Sequence, residues 1–131
     1  MSDPASTIRT FFSLLEGRRA AEAVELLAPD VEWRNAGLPT LRGPRVRTIL
    51  LALERRRIAF RADLEHLAVD GDVVLSDRTD FLRIGRWEAS FWVCGTFRVR
   101  AGRIELWDDR YAMGNVLVGS LRGLVDLARG R

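Results

Sequence analysis

Three residues in this sequence have the types and spacing for acid and base chemistry. Arg78 and Asp80 stand in the stretch SDRTDFL, and Asp109 stands in RIELWDDRYAM. Both stretches read as strands, in which alternate side chains share a face. Arg78 and Asp80 therefore point the same way as Val74 and Leu82, while Trp107, Asp109 and Tyr111 share one face of the later strand. A charge among apolar neighbours is costly unless it is paired and hydrogen-bonded. If the later strand pairs near Arg78, one guanidinium fork can hold both carboxylates, because its planar donors match two carboxylate edges. Two carboxylates whose environments drive their pKa values apart supply a general acid and a general base near neutral pH. Spacing alone favours a plain Arg78–Asp80 ion pair, and both readings stand at this level.

The elements that must position these residues follow from periodicity. A helix fits IRTFFSLLEG, capped by Ser6 or Thr7, and a second fits RRAAEAVELLA, ended by Pro29 and Asp30. VEWRN reads as a short strand, GLPTLRGP as a loop and VRTILLALERRR as a third helix. The pattern then alternates. AFRADLEHLAV and DVVLSDRTDFLRI are strands joined at Asp70 and Gly71, and WEASFWVCGTFRVR and RIELWDDRYAM are strands joined at Ala101 and Gly102. The tail VLVGSLRGLVDLAR reads as a last amphipathic helix. Helices followed by antiparallel strands predict an α+β fold: N-terminal helices packed in a strongly curved, mostly antiparallel sheet that forms a cone with a deep pocket. One domain over residues 1–131 is expected, with residues 1–5 a flexible N-terminus.

Composition narrows the function classes. With 131 residues, 47% of them hydrophobic and 30% charged, the chain is globular, and no apolar run reaches the length of a membrane span. The N-terminus lacks a signal-peptide profile. All 21 basic residues are arginine, yet the net charge is only +3. The basic run Arg55, Arg56 and Arg57 lies where the third helix should end, which favours cations without a nucleic-acid partner. A lone Cys94 supplies neither an internal disulfide nor a zinc ligand set, so a cytoplasmic setting without metal or cofactor is expected.

The segments VEWRNAGLPTLRG, LSDRTDFL and GRIELWDDRYAMG, in this order, resemble the limonene-1,2-epoxide hydrolase family. That family lies within the nuclear-transport-factor-like and ketosteroid-isomerase-like cone folds. The resemblance spans roughly residues 5–125 and is specific at R-x-D, at W-x-D and at an aromatic-x-Asn followed by an LPxxxG-like loop. It implies that Asp109 is the base acting on water, Asp80 the acid that protonates the epoxide oxygen, Arg78 the holder of both, and Asn35 a positioner of the water. It also implies a small or medium apolar epoxide as substrate, a vicinal diol as product and a homodimer. One position departs from the pattern. The family has Tyr at the aromatic of aromatic-x-Asn, whereas this chain has Trp33, whose N–H donates but cannot accept. Either Asn35 and Asp109 hold the water between them, or the nucleophile is a hydroxyl carried by the substrate, which would make the protein an epoxide-opening cyclase.

Trp33, Trp107, Leu82, Trp92 and His66 are the candidate substrate-binding residues. Trp92 competes with a core or dimer-contact reading, and His66 with a satisfied rim or core histidine. Cys94 reads as core, Asp108 as a surface charge, and Gly95 as a bulge or bend. A non-catalytic binding or dimerisation module on the same fold is the remaining alternative.

Overall fold

In the computed structural model, residues 3–111 and Ala128 are described; the helix expected over 116–129 falls outside them apart from Ala128. The chain opens with α1 (Pro4–Glu16) and α2 (Ala20–Ala23), followed by a 3₁₀ turn (Val24–Leu26), β1 (Leu27–Asn35), β2 (Leu41–Arg42) and α3 (Pro44–Arg55). The strands β3 (Ala59–Asp70), β4 (Val73–Ile84), β5 (Trp87–Arg100) and β6 (Arg103–Arg110) complete a six-stranded sheet in the order β2-β1-β6-β5-β4-β3. Every neighbouring pair is antiparallel except β1 with β6. The sheet curls around the helices without closing. Register shifts at Leu27/Glu32, Leu64/His66 and Arg98/Val99 supply the local bends that such curvature demands. No helix among the described residues is long and apolar enough to cross a membrane.

Helix α1 starts one turn earlier than the sequence suggests. Asp3, not Ser6 or Thr7, caps it by accepting from the Ala5 N–H at 2.9 Å, and Pro4 supplies a helix-ready φ at the first position. Its Ile8, Phe11 and Phe12, at helical spacing, are wholly buried in the core with Leu27, Val31, Val46, Phe97, Ile104 and Trp107. The ring of Phe11 meets Trp107 edge-on at 5.2 Å, and Phe12 meets Phe97 edge-on at 5.8 Å.

The second helix is much shorter than its periodicity predicts. It gives way after Ala23 because Leu27 and Val31 bury completely only when the chain extends, and Leu27 then pairs with Ile104 of β6. Tertiary burial overrides local propensity there. Pro29 lies in the irregular stretch between the Leu27 and Glu32 pairings, where a missing N–H costs no ladder bond. The two hairpins form at the expected turns, with Gly71, Ala101 and Gly102 all at positive φ.

Candidate active site

Strand β4 alternates regularly, so Ser76, Arg78 and Asp80 are buried while Leu75 is half exposed. The ladder sets Arg78 beside Val93, Ser76 beside Gly95, and Gly95 in turn beside Asp109 of β6. On the far side of β6, the parallel pairing with β1 sets Asn35 beside Asp109 and Trp33 beside Trp107. Eight strand positions from four strands thus converge on the inner face.

Arg78 is completely buried, the largest such side chain among the described residues. Its Nε donates to Asp80 Oδ1 at 2.8 Å and its Nη2 to Asp80 Oδ2 at 3.1 Å. The same Nη2 donates to Asp109 Oδ2 at 2.7 Å, and Nη1 reaches Ser76 Oγ at 3.4 Å. Ser76 Oγ donates onward to the Gly95 carbonyl. The Phe12 ring centroid lies 4.9 Å from the guanidinium carbon, so the cation is also covered by an aromatic face.

The guanidinium crosses strand β5 at Gly95. A Cβ there would stand 2.5 Å from Arg78 Nη1, 2.8 Å from Ser76 Oγ and 3.0 Å from Asp109 Oδ1. Only glycine leaves the opening through which an arginine on β4 reaches a carboxylate on β6. Sequence alone suggests a bulge or bend at this glycine; the signal it carries is a glycine in the strand between R-x-D and W-x-D.

Burial pushes both carboxyls above the ordinary value of 3.8, against the pull of Arg78, and Asp80 pushes Asp109 further up. Burial pulls the Arg78 guanidinium down, but the two carboxylates more than offset this and hold it firmly charged. Two acids sharing one cation in a dry site titrate as a unit, and the neutral arrangement is one proton on the pair. Asp109 Oδ1 is buried with no hydrogen-bond partner among the described residues, as are the indole nitrogens of Trp33 and Trp107. These indoles stack at 4.1 Å with 10° between planes.

A cavity of about 600 Å³ opens onto this arrangement. Asp80, Asp109, Asn35, Trp33, Trp107 and Leu82 all line it, and Leu50, Leu53, Ile58, Phe60, Phe91 and Val93 make its walls apolar. Arg78 lies behind the two carboxylates rather than on the wall. Tyr111 and Phe91 also line the cavity and were not among the candidate binding residues.

His66 and Trp92 lie elsewhere, which corrects the sequence reading. A bulge at Glu65 breaks the alternation, so Leu64 pairs with Arg78 on the inner side while His66 pairs with Asp77 on the outer. His66 Nδ1 is 3.1 Å from Asp77 Oδ2, and its side chain is 80% exposed. Trp92 pairs with Thr79, is 49% exposed and donates its indole N–H to Asp77. In the run Phe91-Trp92-Val93 all three residues are apolar, so composition does not tell which one faces outward. Cys94 also faces outward, beside Asp77, and is half-buried rather than core. Asp108 points away from Asp109, toward Arg110. Among the described residues, Glu65, His66 and Asp77 are a set whose ligand atoms lie within 4.8 Å of one another; they stand on the outer face, away from the cavity.

Residues 2–122 match the model of the limonene-1,2-epoxide hydrolase catalytic domain. The chain belongs to the limonene-1,2-epoxide hydrolase family. Epoxide hydrolase EphG of Mycobacterium tuberculosis (strain ATCC 25618 / H37Rv) is 36% identical over 120 residues, covering 92% of this chain and 80% of that protein. The solved structure of an M. tuberculosis limonene-epoxide-hydrolase-like epoxide hydrolase superposes with a TM-score of 0.92 at 33% identity, over 98% of this chain and 96% of that one. The epoxide hydrolase/cyclase-like enzyme SalBIII shares the fold at 13% identity, with a TM-score of 0.76 over 86% and 92% of the two chains. Arg78 with Asp80, Trp107 with Asp109 and Trp33 with Asn35 all lie on the inner face of the sheet.

Proposed function

We propose that the protein is a cofactor-independent epoxide hydrolase that opens a small or medium, largely apolar epoxide to a vicinal diol in one step. The observation that carries this reading is the fork of Arg78 holding two buried carboxyls on the floor of an apolar cavity. Water held in the cavity by Asp109 and Asn35 attacks an epoxide carbon as Asp109 takes its proton. Asp80 delivers a proton to the ring oxygen as the carbon–oxygen bond breaks. Each Asp80 oxygen has a second lone pair, so the acid can carry its proton on the cavity side while still bonded to Arg78. One water and one epoxide give one diol, and the pair is reset by passing one proton from Asp109 to Asp80 through the shared site. No nucleophilic side chain has to bond to the substrate.

Trp33 favours a second reading. Its indole can only donate, and its bulk occupies a position beside Asn35 at the proposed water site. A hydroxyl on the substrate could take the water's place, which would make the enzyme a cyclase. A homodimer also belongs to the proposal, with half-exposed Trp92 and Leu75 on the outer sheet face as the apolar surface a second copy would cover.

The test is incubation of the purified protein with a panel of cyclic and aromatic epoxides in ¹⁸O-water. Diol carrying one solvent oxygen supports hydrolysis. A hydroxy-epoxide converted to a ring-closed product without solvent oxygen would move the assignment to the cyclase, and no turnover across the panel would move it to a binding module.

A further inference from the structure

Tyr111 stands two residues beyond Asp109, about 7 Å further along the extended chain. It lines the cavity, and its ring centroid is 6.2 Å from that of Phe91, the ladder partner of Asp80. The ring therefore sits on the β5–β6 side of the cavity, near Phe91 and on the strand face of Asp109. Burial and then the Asp109 charge push it up, so it is a neutral hydroxyl throughout the neutral range. Among the described residues, Leu53, Ile58, Phe60, Leu82 and Val93 make much of the cavity lining hydrocarbon. Glu16 and Glu54 border the same cavity, but each already accepts a backbone N–H, from Ala62 at 2.7 Å and from Ala20 at 3.1 Å. Tyr111 is thus a polar hydroxyl on a cavity wall that is otherwise mostly apolar, with Asn35, Arg18 and Arg83 its other polar residues apart from the acids.

We propose that Tyr111 is a specificity-determining residue whose hydroxyl binds an oxygen substituent, a hydroxyl or a carbonyl, on a carbon adjoining the epoxide. The preferred substrate class is then an apolar ring or chain bearing one oxygen function next to the epoxide, rather than a pure hydrocarbon epoxide. This deepens the epoxide-opening reading above and rests on it. Sites that hydrogen-bond a substrate hydroxyl discriminate by that bond, whereas apolar walls discriminate weakly between isosteres.

The experiment compares wild type with Tyr111→Phe on two probes, cyclohexene oxide and its counterpart with a hydroxyl on the adjoining ring carbon. The phenylalanine keeps the ring and its contact with Phe91. Because both probes are assayed on one preparation, any loss of folded protein cancels in the ratio of their kcat/KM values. The ratio of hydroxylated to plain epoxide should fall roughly three- to tenfold, the loss of one neutral hydrogen bond, with the change in KM. If wild type opens both probes and the ratio does not move, the specificity claim fails while the hydrolase reading stands. If wild type opens neither, both fail together.

Discussion

Replacing Gly95 with alanine tests the site through its own geometry. The added Cβ would lie 2.5 Å from Arg78 Nη1, where ordinary contact begins at 3.4 Å, so the guanidinium must retreat by 3.4 − 2.5 = 0.9 Å. Arg78 is long, but it is not free to swing: it is fully buried and tied to two carboxylates and Ser76. A retreat of that size stretches the 2.7 Å contact with Asp109 beyond hydrogen-bond range. Losing a buried charge-assisted hydrogen bond costs about 1.5–3 kcal/mol, and a buried pair left uncompensated costs about 3–5 kcal/mol. We predict a destabilisation of about 2–4 kcal/mol, a drop of roughly 10 °C in Tm for a chain of this length, and at least a ~10²-fold loss of kcat. The sign is diagnostic. In an ordinary strand, glycine to alanine stabilises by about 0.5–1 kcal/mol. Thermal unfolding with an epoxide-opening assay reads both quantities; a Gly95→Ala protein at least as stable and as active as wild type would refute the crossing at β5.

Asp80→Asn and Asp109→Asn should each lose about 10²- to 10⁴-fold in turnover with the fold retained, and more than a tenth of wild-type activity in either folded variant would sink the acid and base assignment. Stability should fall as pH rises from the ordinary carboxyl value of 3.8 through the raised values of Asp80 and Asp109, because the folded state holds more protons than the unfolded chain in that window. Denaturant unfolding across pH should show a shallower fall in Asp109→Asn, and an unchanged slope would contradict the shift. Trp33→Tyr adds an acceptor beside the water site and should raise hydrolysis of a simple cyclic epoxide by about two- to tenfold, measured as initial rate; no gain would mean that Asn35 and Asp109 hold the water unaided.

Much of the site was legible because strands alternate strictly. Arg78 with Asp80, Trp107 with Asp109 and Trp33 with Asn35 are each two residues apart, so each pair shares a face wherever its strand lies. The turns at Gly71 and Gly102 were legible for a related reason: positive φ has few tenants. His66 was misjudged because a bulge adds one residue to a strand and inverts every face after it, and nothing in LEHLA marks the insertion. Trp92 was misjudged because three successive apolar residues carry no alternation. The role of Gly95 is not legible in sequence, since it lies in three side chains from two other strands. The second helix was overextended because burial of Leu27 and Val31 against β6 is a tertiary fact.

Oxygen tracing in a single turnover tests the central claim most directly. Unlabelled enzyme in excess over a hydrocarbon epoxide is mixed in ¹⁸O-water, quenched within one turnover, and the diol is weighed by mass spectrometry. Direct attack by water activated at Asp109 predicts one solvent oxygen in the diol from the first turnover onward. A first-turnover diol without label would mean that a carboxylate oxygen of the enzyme had entered the product through a covalent ester, and the acid and base account would be wrong.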